Sequence, residues 1–80
     1  MPSEEADAFL KALVEELKEI RAAAGVSQEQ LATQSGVDRA IISRLERLER
    51  IPSIMALYDL ARALKVPFHL IAEKAEQRKP

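Results

Sequence analysis

A close group of arginines is the feature of this chain that could take part in chemistry. Arg39, Arg44, Arg47 and Arg50 all fall within one stretch of twelve residues. Nothing in the surrounding sequence marks an internal partner for Arg39 or Arg44. Runs of charge are usually solvated faces, so the cluster alone assigns no function.

Residue types that support catalysis or bind metals are sparse. The chain has no cysteine, which excludes disulfides and cysteine metal sites. Its one histidine, His69, cannot form a metal cluster alone and is interpreted as a surface imidazole. A catalytic site needs a nucleophile–base pair or carboxylates held in a pocket, whereas the acidic residues here have the spacing of helix surfaces. We therefore expect no enzymatic activity, no metal and no cofactor.

Length and charge bound the remaining possibilities. Eighty residues form one small domain at most. The net charge of −1 disfavours a general nucleic-acid binder, but the charge is unevenly distributed. Residues 1–20 hold six acidic and two basic residues, which leaves seven acidic and ten basic residues in 21–80. The apolar runs are too short for a membrane span and the acidic start is unlike a signal peptide. We expect a soluble cytoplasmic protein.

Helical periodicity extends along the chain, and no strand signal interrupts it. Ser3 is the predicted cap of a first helix, which should run to Ala24 and stop at Gly25. The apolar stripe of this helix consists of Phe9, Leu10, Leu13, Val14, Leu17 and Ile20.

Two short helices are predicted next. Ser27 and Gln30 have the spacing of a capping box that starts the second helix. Ser35 and Gly36 interrupt this helix, and Asp38 can cap a third. A connection this short suits two helices that cross steeply, with Gly36 free to take a positive φ at the corner. Residues 28–47 thus form a helix-turn-helix, and the apolar anchors predicted for its last helix are Ile42 and Leu45.

Proline and serine mark the last two helices. Ser53 behind Pro52 should cap the fourth helix, and Pro67 should be the first residue of the fifth. The predicted inward stripe of the fourth helix consists of Ile54, Leu57, Leu60, Ala61 and Leu64. The end of the chain, "EQRKP" at residues 76–80, is expected to fray. Five helices with short connections predict an all-α bundle.

Four segments, in order, carry a resemblance to a known family: "SQEQLATQSGV", "ISRLER", "RIPSI" and "DLARALKVP". They resemble the Cro/repressor-type (XRE-like) helix-turn-helix regulators, over roughly Leu13 to Ile71. The resemblance implies a five-helix, lambda-repressor-like DNA-binding bundle. In this scheme residues 1–12 extend helix one, 13–72 form the DNA-binding domain with its motif at 28–47, and 73–80 form a C-terminal tail.

Leu48 departs from the family pattern, which usually has glycine after "ER". We predict that the third helix either runs on past Arg47 or ends in a strained residue. A non-glycine residue in the left-handed region costs roughly 1–2 kcal/mol. Burial of the Leu48 side chain under the fourth helix would compensate for this cost.

The resemblance implies that the outward face of the third helix enters the DNA major groove. The matching positions are Arg39, Ala40, Ser43, Arg44 and Arg47. Arginine suits this role because its fork can pair with O6 and N7 of guanine, and Ala40 could meet a thymine methyl group.

Other positions match contacts to the DNA backbone. Gln28, at the start of the second helix, matches a phosphate anchor whose side chain points outward, and Arg47 and Arg50 match phosphate neighbours. The alternative is that these arginines are ordinary surface charges, with Arg47 paired to Glu46 or Glu49.

Three residues are assigned structural roles. Arg21 and Glu46 match positions that similar proteins use for a buried ion pair. Tyr58, the sole tyrosine, lies off the inward stripe, and partial burial is favoured over an interface role.

Taken with the resemblance, these residues predict a sequence-specific DNA-binding transcriptional regulator, a repressor that acts as a homodimer on double-stranded DNA. The alternative is an antitoxin-like or adaptor module whose main task is to bind a protein such as a toxin. Apolar residues beyond the usual core suggest a dimer interface through helix five and the first turns of helix one, formed by Phe9, Leu10, Phe68, Leu70 and Ile71. Alternatively, Phe9 and Leu10 extend the core of the monomer.

Overall fold

A computed structural model describes residues 2–78 of the chain. These residues form five α-helices and no strand: α1 (Glu4–Ala23), α2 (Gln28–Ser35), α3 (Arg39–Glu46), α4 (Ile54–Ala63) and α5 (Phe68–Arg78). The predicted all-α, five-helix bundle is confirmed.

The helices begin where the capping residues predict. The hydroxyl groups of Ser3, Ser27 and Ser53 each accept the backbone N–H of the third helical residue of α1, α2 and α4, at 3.0 Å. The Gln30 side chain also accepts the backbone N–H of Ser27 at 2.9 Å, which completes the predicted capping box. Pro67 differs slightly from its prediction, because the chain becomes helical at Phe68, one residue later.

A left-handed residue follows each of the first four helices. Gly25 and Gly36 hold φ angles of 72° and 78° after α1 and α2. Leu48 and Lys65 adopt φ angles of 60° and 62° after α3 and α4, although both carry a Cβ atom. This conformation lets the chain turn back and satisfy the last helical carbonyl groups.

The core lies between all five helices, with α1 against α5 and α2 against α3 and α4. The predicted inward residues Leu57, Leu60 and Ala61 of α4 are buried, and Leu64 packs against them. The prediction for Ile54 is wrong, because this side chain is 66% exposed. Ile54 is the first residue of α4 and extends past the edge of the core.

The end of the chain is held against α1 instead of fraying. Helix α5 continues to Arg78, whose guanidinium group lies 2.8 Å from an oxygen of Glu19 and 3.1 Å from one of Glu16. The carboxyl group of Glu16 is mostly buried. The prediction of fraying from residue 76 is therefore wrong for residues 76–78, and residues 79–80 lie outside the described part of the chain.

Leu48 ends α3 as a strained residue, which was one of the two predicted outcomes. Its side chain is not buried under α4, however. It is 49% exposed and lines a shallow groove with Leu10, Lys11 and Val14 of α1. The expected compensation by burial is thus wrong, because the left-handed backbone directs Leu48 toward α1.

Candidate nucleic-acid interface

The corner between α2 and α3 is built from three polar contacts around one glycine. The N–H of Gly36 donates to the carbonyl of Ala32 at 2.9 Å and closes α2. The Ser35 hydroxyl accepts the N–H of Val37 at 3.0 Å, and the Asp38 carboxylate accepts the N–H of Ala40 at 3.2 Å. The predicted helix-turn-helix geometry is present, with Asp38 as the cap of α3.

Two buried residues fix the orientation of α3. Ile42 and Leu45 are almost completely inaccessible, as predicted, and join the common core. A helix with these two residues inward turns its opposite face outward. Arg39, Ala40, Arg44 and Arg47 are accordingly exposed, and Ser43 is half-buried. The five residues predicted to face the major groove therefore share one outward surface, which we call the α3 face.

The arginines near this surface differ in what they bind. Within residues 2–78, Arg39, Arg44 and Arg50 form no hydrogen bond or ion pair. Arg47 instead donates two hydrogen bonds to the Glu49 carboxylate, at 3.0 and 3.1 Å, and a third to the Ser43 hydroxyl. The ion pair between Arg47 and Glu49, one of the two partners considered from the sequence, is thus present.

Gln28 is not a free outward side chain. It is half-buried, and its amide nitrogen donates to Oε1 of Glu46 at 2.9 Å. The predicted outward orientation is therefore wrong, because Glu46 lies within reach across the contact between α2 and α3. The backbone N–H groups of Gln28 and Glu29 still lie in the first turn of α2, where they lack acceptors within the helix.

Arg21 and Glu46 form the predicted ion pair, with guanidinium–carboxylate distances of 2.7 and 2.9 Å. Burial disfavours the charged form of Glu46, but the hydrogen bonds from Arg21 and Gln28 outweigh it and lower the pKa of the carboxyl group. The same pairing raises the pKa of Arg21. Both side chains are mostly buried, so the pair fixes the end of α3 to the end of α1.

A second surface, which the sequence analysis did not identify, lies just after α3. Ile51, Ile54, Met55 and Tyr58 are between 54% and 74% exposed. We call these four residues the α4 patch. The prediction of partial burial for Tyr58 is wrong. The sequence did hold a signal on α4, since Ile54 and Met55 lie four and three residues before Tyr58, a spacing that places the three apolar side chains on one side of the helix.

The residues predicted for a dimer interface are mostly part of the core. Ile71 is completely buried, and Phe9 and Phe68 pack against the core. Leu10 is half-buried, and only Leu70 of this group is exposed. Ile71 is therefore excluded from an interface of the folded monomer. For Phe9, the alternative that it extends the core is confirmed.

The described residues hold no cluster of three or more histidine, cysteine or acidic side chains that could bind a metal ion. None of the five helices is long and apolar enough to cross a membrane. The described residues thus show one exposed helix face with two arginines, Arg39 and Arg44, that form no hydrogen bond or ion pair there. The mostly buried Arg21–Glu46 ion pair anchors the end of the same helix.

Comparison with known proteins gives a consistent result. The sequence model of a helix-turn-helix family matches residues 17–71. The chain is 33% identical over 64 residues to the HTH-type transcriptional regulator SutR of Escherichia coli, covering 80% of this chain and 36% of SutR. It is 40% identical over 62 residues to the HTH-type transcriptional repressor RghR of Bacillus subtilis, covering 76% of this chain and 46% of RghR. The chain thus spans less than half the length of these two relatives.

A solved structure is similar over a larger share of its length. The restriction-modification controller protein C.AhdI from Aeromonas hydrophila superimposes with a TM-score of 0.72 and 37% sequence identity. The alignment covers 78% of this chain and 94% of C.AhdI.

Proposed function

The chain belongs to the Cro/repressor-type helix-turn-helix family of DNA-binding regulators, and from this premise we propose that it is a sequence-specific transcriptional repressor. It binds double-stranded DNA as a homodimer in the cytoplasm and acts by binding, without catalysis or a cofactor. Helix α3 is the recognition helix and reads the major groove.

One observation carries this proposal: Arg39 and Arg44 are exposed on α3 and form no hydrogen bond or ion pair with any of residues 2–78. A guanidinium group without an internal partner is free to make two parallel hydrogen bonds to a guanine edge. The buried side chains of Ile42 and Leu45 hold the helix in place, so the two arginines project from a fixed base.

The other residues of the interface have distinct proposed roles. Ala40 contacts a thymine methyl group, and Ser43 is a further contact on the same face. Arg47, at the end of the α3 face, and Arg50, which follows it, are both exposed and contact phosphates. Gln28 donates one amide hydrogen to Glu46, and its second amide hydrogen contacts a phosphate oxygen beside the free N–H groups at the N-terminus of α2.

The α4 patch is the proposed dimer surface, with a second copy of this chain as its occupant. Dimers of this class read two half-sites about one DNA turn, 34–36 Å, apart, which requires a two-fold contact close to the recognition helix. The patch begins five residues after α3 ends and is the largest group of exposed apolar side chains in residues 2–78. Four partly exposed side chains are a small surface compared with the roughly 800 Å² per partner of a standard interface, so the dimer should be weak without DNA.

A selection experiment tests the proposal directly. The protein is used to enrich bound duplexes from a random DNA pool, and the enriched sequence is titrated against a scrambled duplex at two salt concentrations. We expect a two-fold symmetric site that binds at least about a thousandfold more tightly than the scrambled duplex. Failure to enrich any sequence would contradict the proposal.

The α4 patch also supports the second candidate, a protein-binding module. An exposed apolar surface of this kind can bind a different protein, such as a toxin, as well as a second copy. A stoichiometric complex with such a partner, formed by a chain that enriches no DNA sequence, would favour this function instead.

A further inference from the structure

Glu49 forms an ion pair with Arg47, the arginine at the end of the proposed recognition helix. Its two carboxylate oxygens accept hydrogen bonds from Nε and Nη2 of Arg47, at 3.0 and 3.1 Å. The remaining terminal nitrogen of Arg47 donates to the Ser43 hydroxyl. Arg47 and Ser43 are both proposed DNA contacts, so this exposed cluster engages two of them at once.

The ion pair depends on the unusual end of α3. Residues two apart on a helix do not face each other, so Arg47 and Glu49 could not pair if α3 continued. The left-handed backbone of Leu48, with φ 60°, reverses the chain instead. The N–H of Glu49 then donates to the carbonyl of Arg44 at 2.8 Å, and its side chain lies beside Arg47. Leu48 thus places an acidic group at the edge of the α3 face.

This acidic group is charged at neutral pH. The hydrogen bonds and positive charge of Arg47 lower the pKa of Glu49, and the positive charge of Arg44 adds to this effect. A phosphate group that approaches Arg47 therefore meets both an occupied guanidinium group and a negative charge.

We propose that Glu49 competes with DNA phosphate for Arg47 and thereby limits the affinity of this chain for DNA of any sequence. The inference rests on the proposed function. To bind a phosphate, Arg47 must give up its carboxylate partner. The phosphate contact therefore replaces an existing ion pair and adds little to the binding free energy. Within residues 2–78, Arg39 and Arg44 form no ion pair, which leaves a larger share of the binding energy to the groups that read bases.

The test compares Glu49→Gln with the wild-type chain. Glutamine keeps the size of the side chain but removes its charge, and it offers one acceptor oxygen where the carboxylate has two. We expect tighter binding to both operator and scrambled duplexes, with base preference unchanged. The slope of log K against log salt should steepen by about 0.9, the value for one added phosphate contact. The affinity gain over wild type should accordingly fall about three- to fourfold between about 50 and 200 mM salt.

Two further variants separate this mechanism from a general change in charge. Glu73→Gln removes one negative charge from the exposed surface of α5 and should alter neither affinity nor slope. On an Arg47→Gln background, Glu49→Gln should lose most of its effect, because the proposed competition acts through Arg47.

The outcomes are distinct. An unchanged affinity and slope for Glu49→Gln, an equal gain for Glu73→Gln, or an equal gain without Arg47 would each overturn the competition. A wild-type chain that binds no duplex even at low salt would overturn the proposed function as well. Thermal melting of each variant checks that the fold is intact.

Discussion

Arg21 and Glu46 join the end of α1 to the last turn of α3 through two hydrogen bonds, 2.7 and 2.9 Å long. Arg21 also donates to the carbonyl of Val26 at 2.7 Å, and Gln28 donates to Glu46. Three segments therefore meet at one carboxylate. The placement of α3, on which the proposed base recognition depends, is coupled in this way to the stability of the bundle.

Replacing Glu46 with glutamine should lower the free energy of unfolding by about 1–3 kcal/mol at neutral pH, because Arg21 loses its charged partner. The effect should depend on pH. The folded state lowers the pKa of Glu46 below its ordinary value of 4.5. The stabilisation is thus complete above pH 4.5 and is lost as pH falls through the lower, folded-state pKa.

Chemical denaturation of both chains between pH 7 and pH 3 measures this difference. Other carboxylates titrate in the same range, so the quantity of interest is the gap between wild type and variant. A gap that stayed constant down to pH 3 would show that the charge of Glu46 is not what stabilises the fold.

Leu48→Gly should raise the free energy of unfolding by up to roughly 1–2 kcal/mol through relief of the left-handed strain. The variant also loses the contacts that the half-exposed Leu48 side chain makes with α1, and this loss offsets part of the gain. Lys65→Gly is the matched comparison, since Lys65 has the same φ but an exposed side chain. We expect Lys65→Gly to stabilise at least as much. Thermal melts of the two variants decide the matter, and a lower melting temperature for Leu48→Gly would mean that packing outweighs strain.

The fold was predictable from the sequence because its signals are local. Capping by Ser3, Ser27 and Ser53 and the corner at Gly36 depend on residues within a few positions of each other. The pairing of Arg78 with Glu16 and Glu19 was not predictable, because it links positions about sixty residues apart.

For the candidate nucleic-acid interface, the sequence predicted which residues share the α3 face but not how they pair. Periodicity identified the residues that lie opposite Ile42 and Leu45, but it could not show which arginines pair within the fold. The ion pair between Arg47 and Glu49 depends on the left-handed backbone of Leu48. Periodicity could not predict it, because periodicity assumes a continuous helix. Periodicity likewise placed Ile54 on the inward side of α4, but it could not show that the core ends before this residue.

The homodimer prediction is tested by Met55→Glu, which adds a charge to the centre of the α4 patch. We expect the wild-type chain to associate at tens of micromolar and the variant to remain monomeric, because an interface cannot bury an unpaired charge cheaply. Gln77→Glu adds the same charge to the exposed surface of α5 and should not affect association. Sedimentation measures both. Wild-type chains that stay monomeric with and without DNA would rule out this dimer.

Gln28→Ala should have two separable effects. Loss of its hydrogen bond to Glu46 should cost about 0.5–1.5 kcal/mol of stability, which denaturation measures. If Gln28 also anchors a phosphate, binding to operator and to scrambled DNA should weaken by the same factor. A loss confined to the operator would contradict a backbone role.

Arg44→Ala tests the reading of bases. Arg44 is exposed near the middle of the α3 face and forms no hydrogen bond within residues 2–78, so its removal should leave the helical circular-dichroism signal unchanged. It should cost about 1–3 kcal/mol of discrimination and relax the preference at one base pair in each half-site. Arg44→Lys keeps the charge but lacks the planar fork, and it should lose discrimination while retaining most of the affinity for scrambled DNA.

Lys74→Ala, which removes one positive charge from the exposed surface of α5, is the matched control for Arg44→Ala and should leave the preference intact. All four chains are titrated against the operator and single-base variants of it. If Arg44→Ala kept both the operator affinity and the base preference of the wild type, α3 would not be the reading element. The α4 patch would then become the principal binding surface, and the protein-binding function would replace the DNA-binding one.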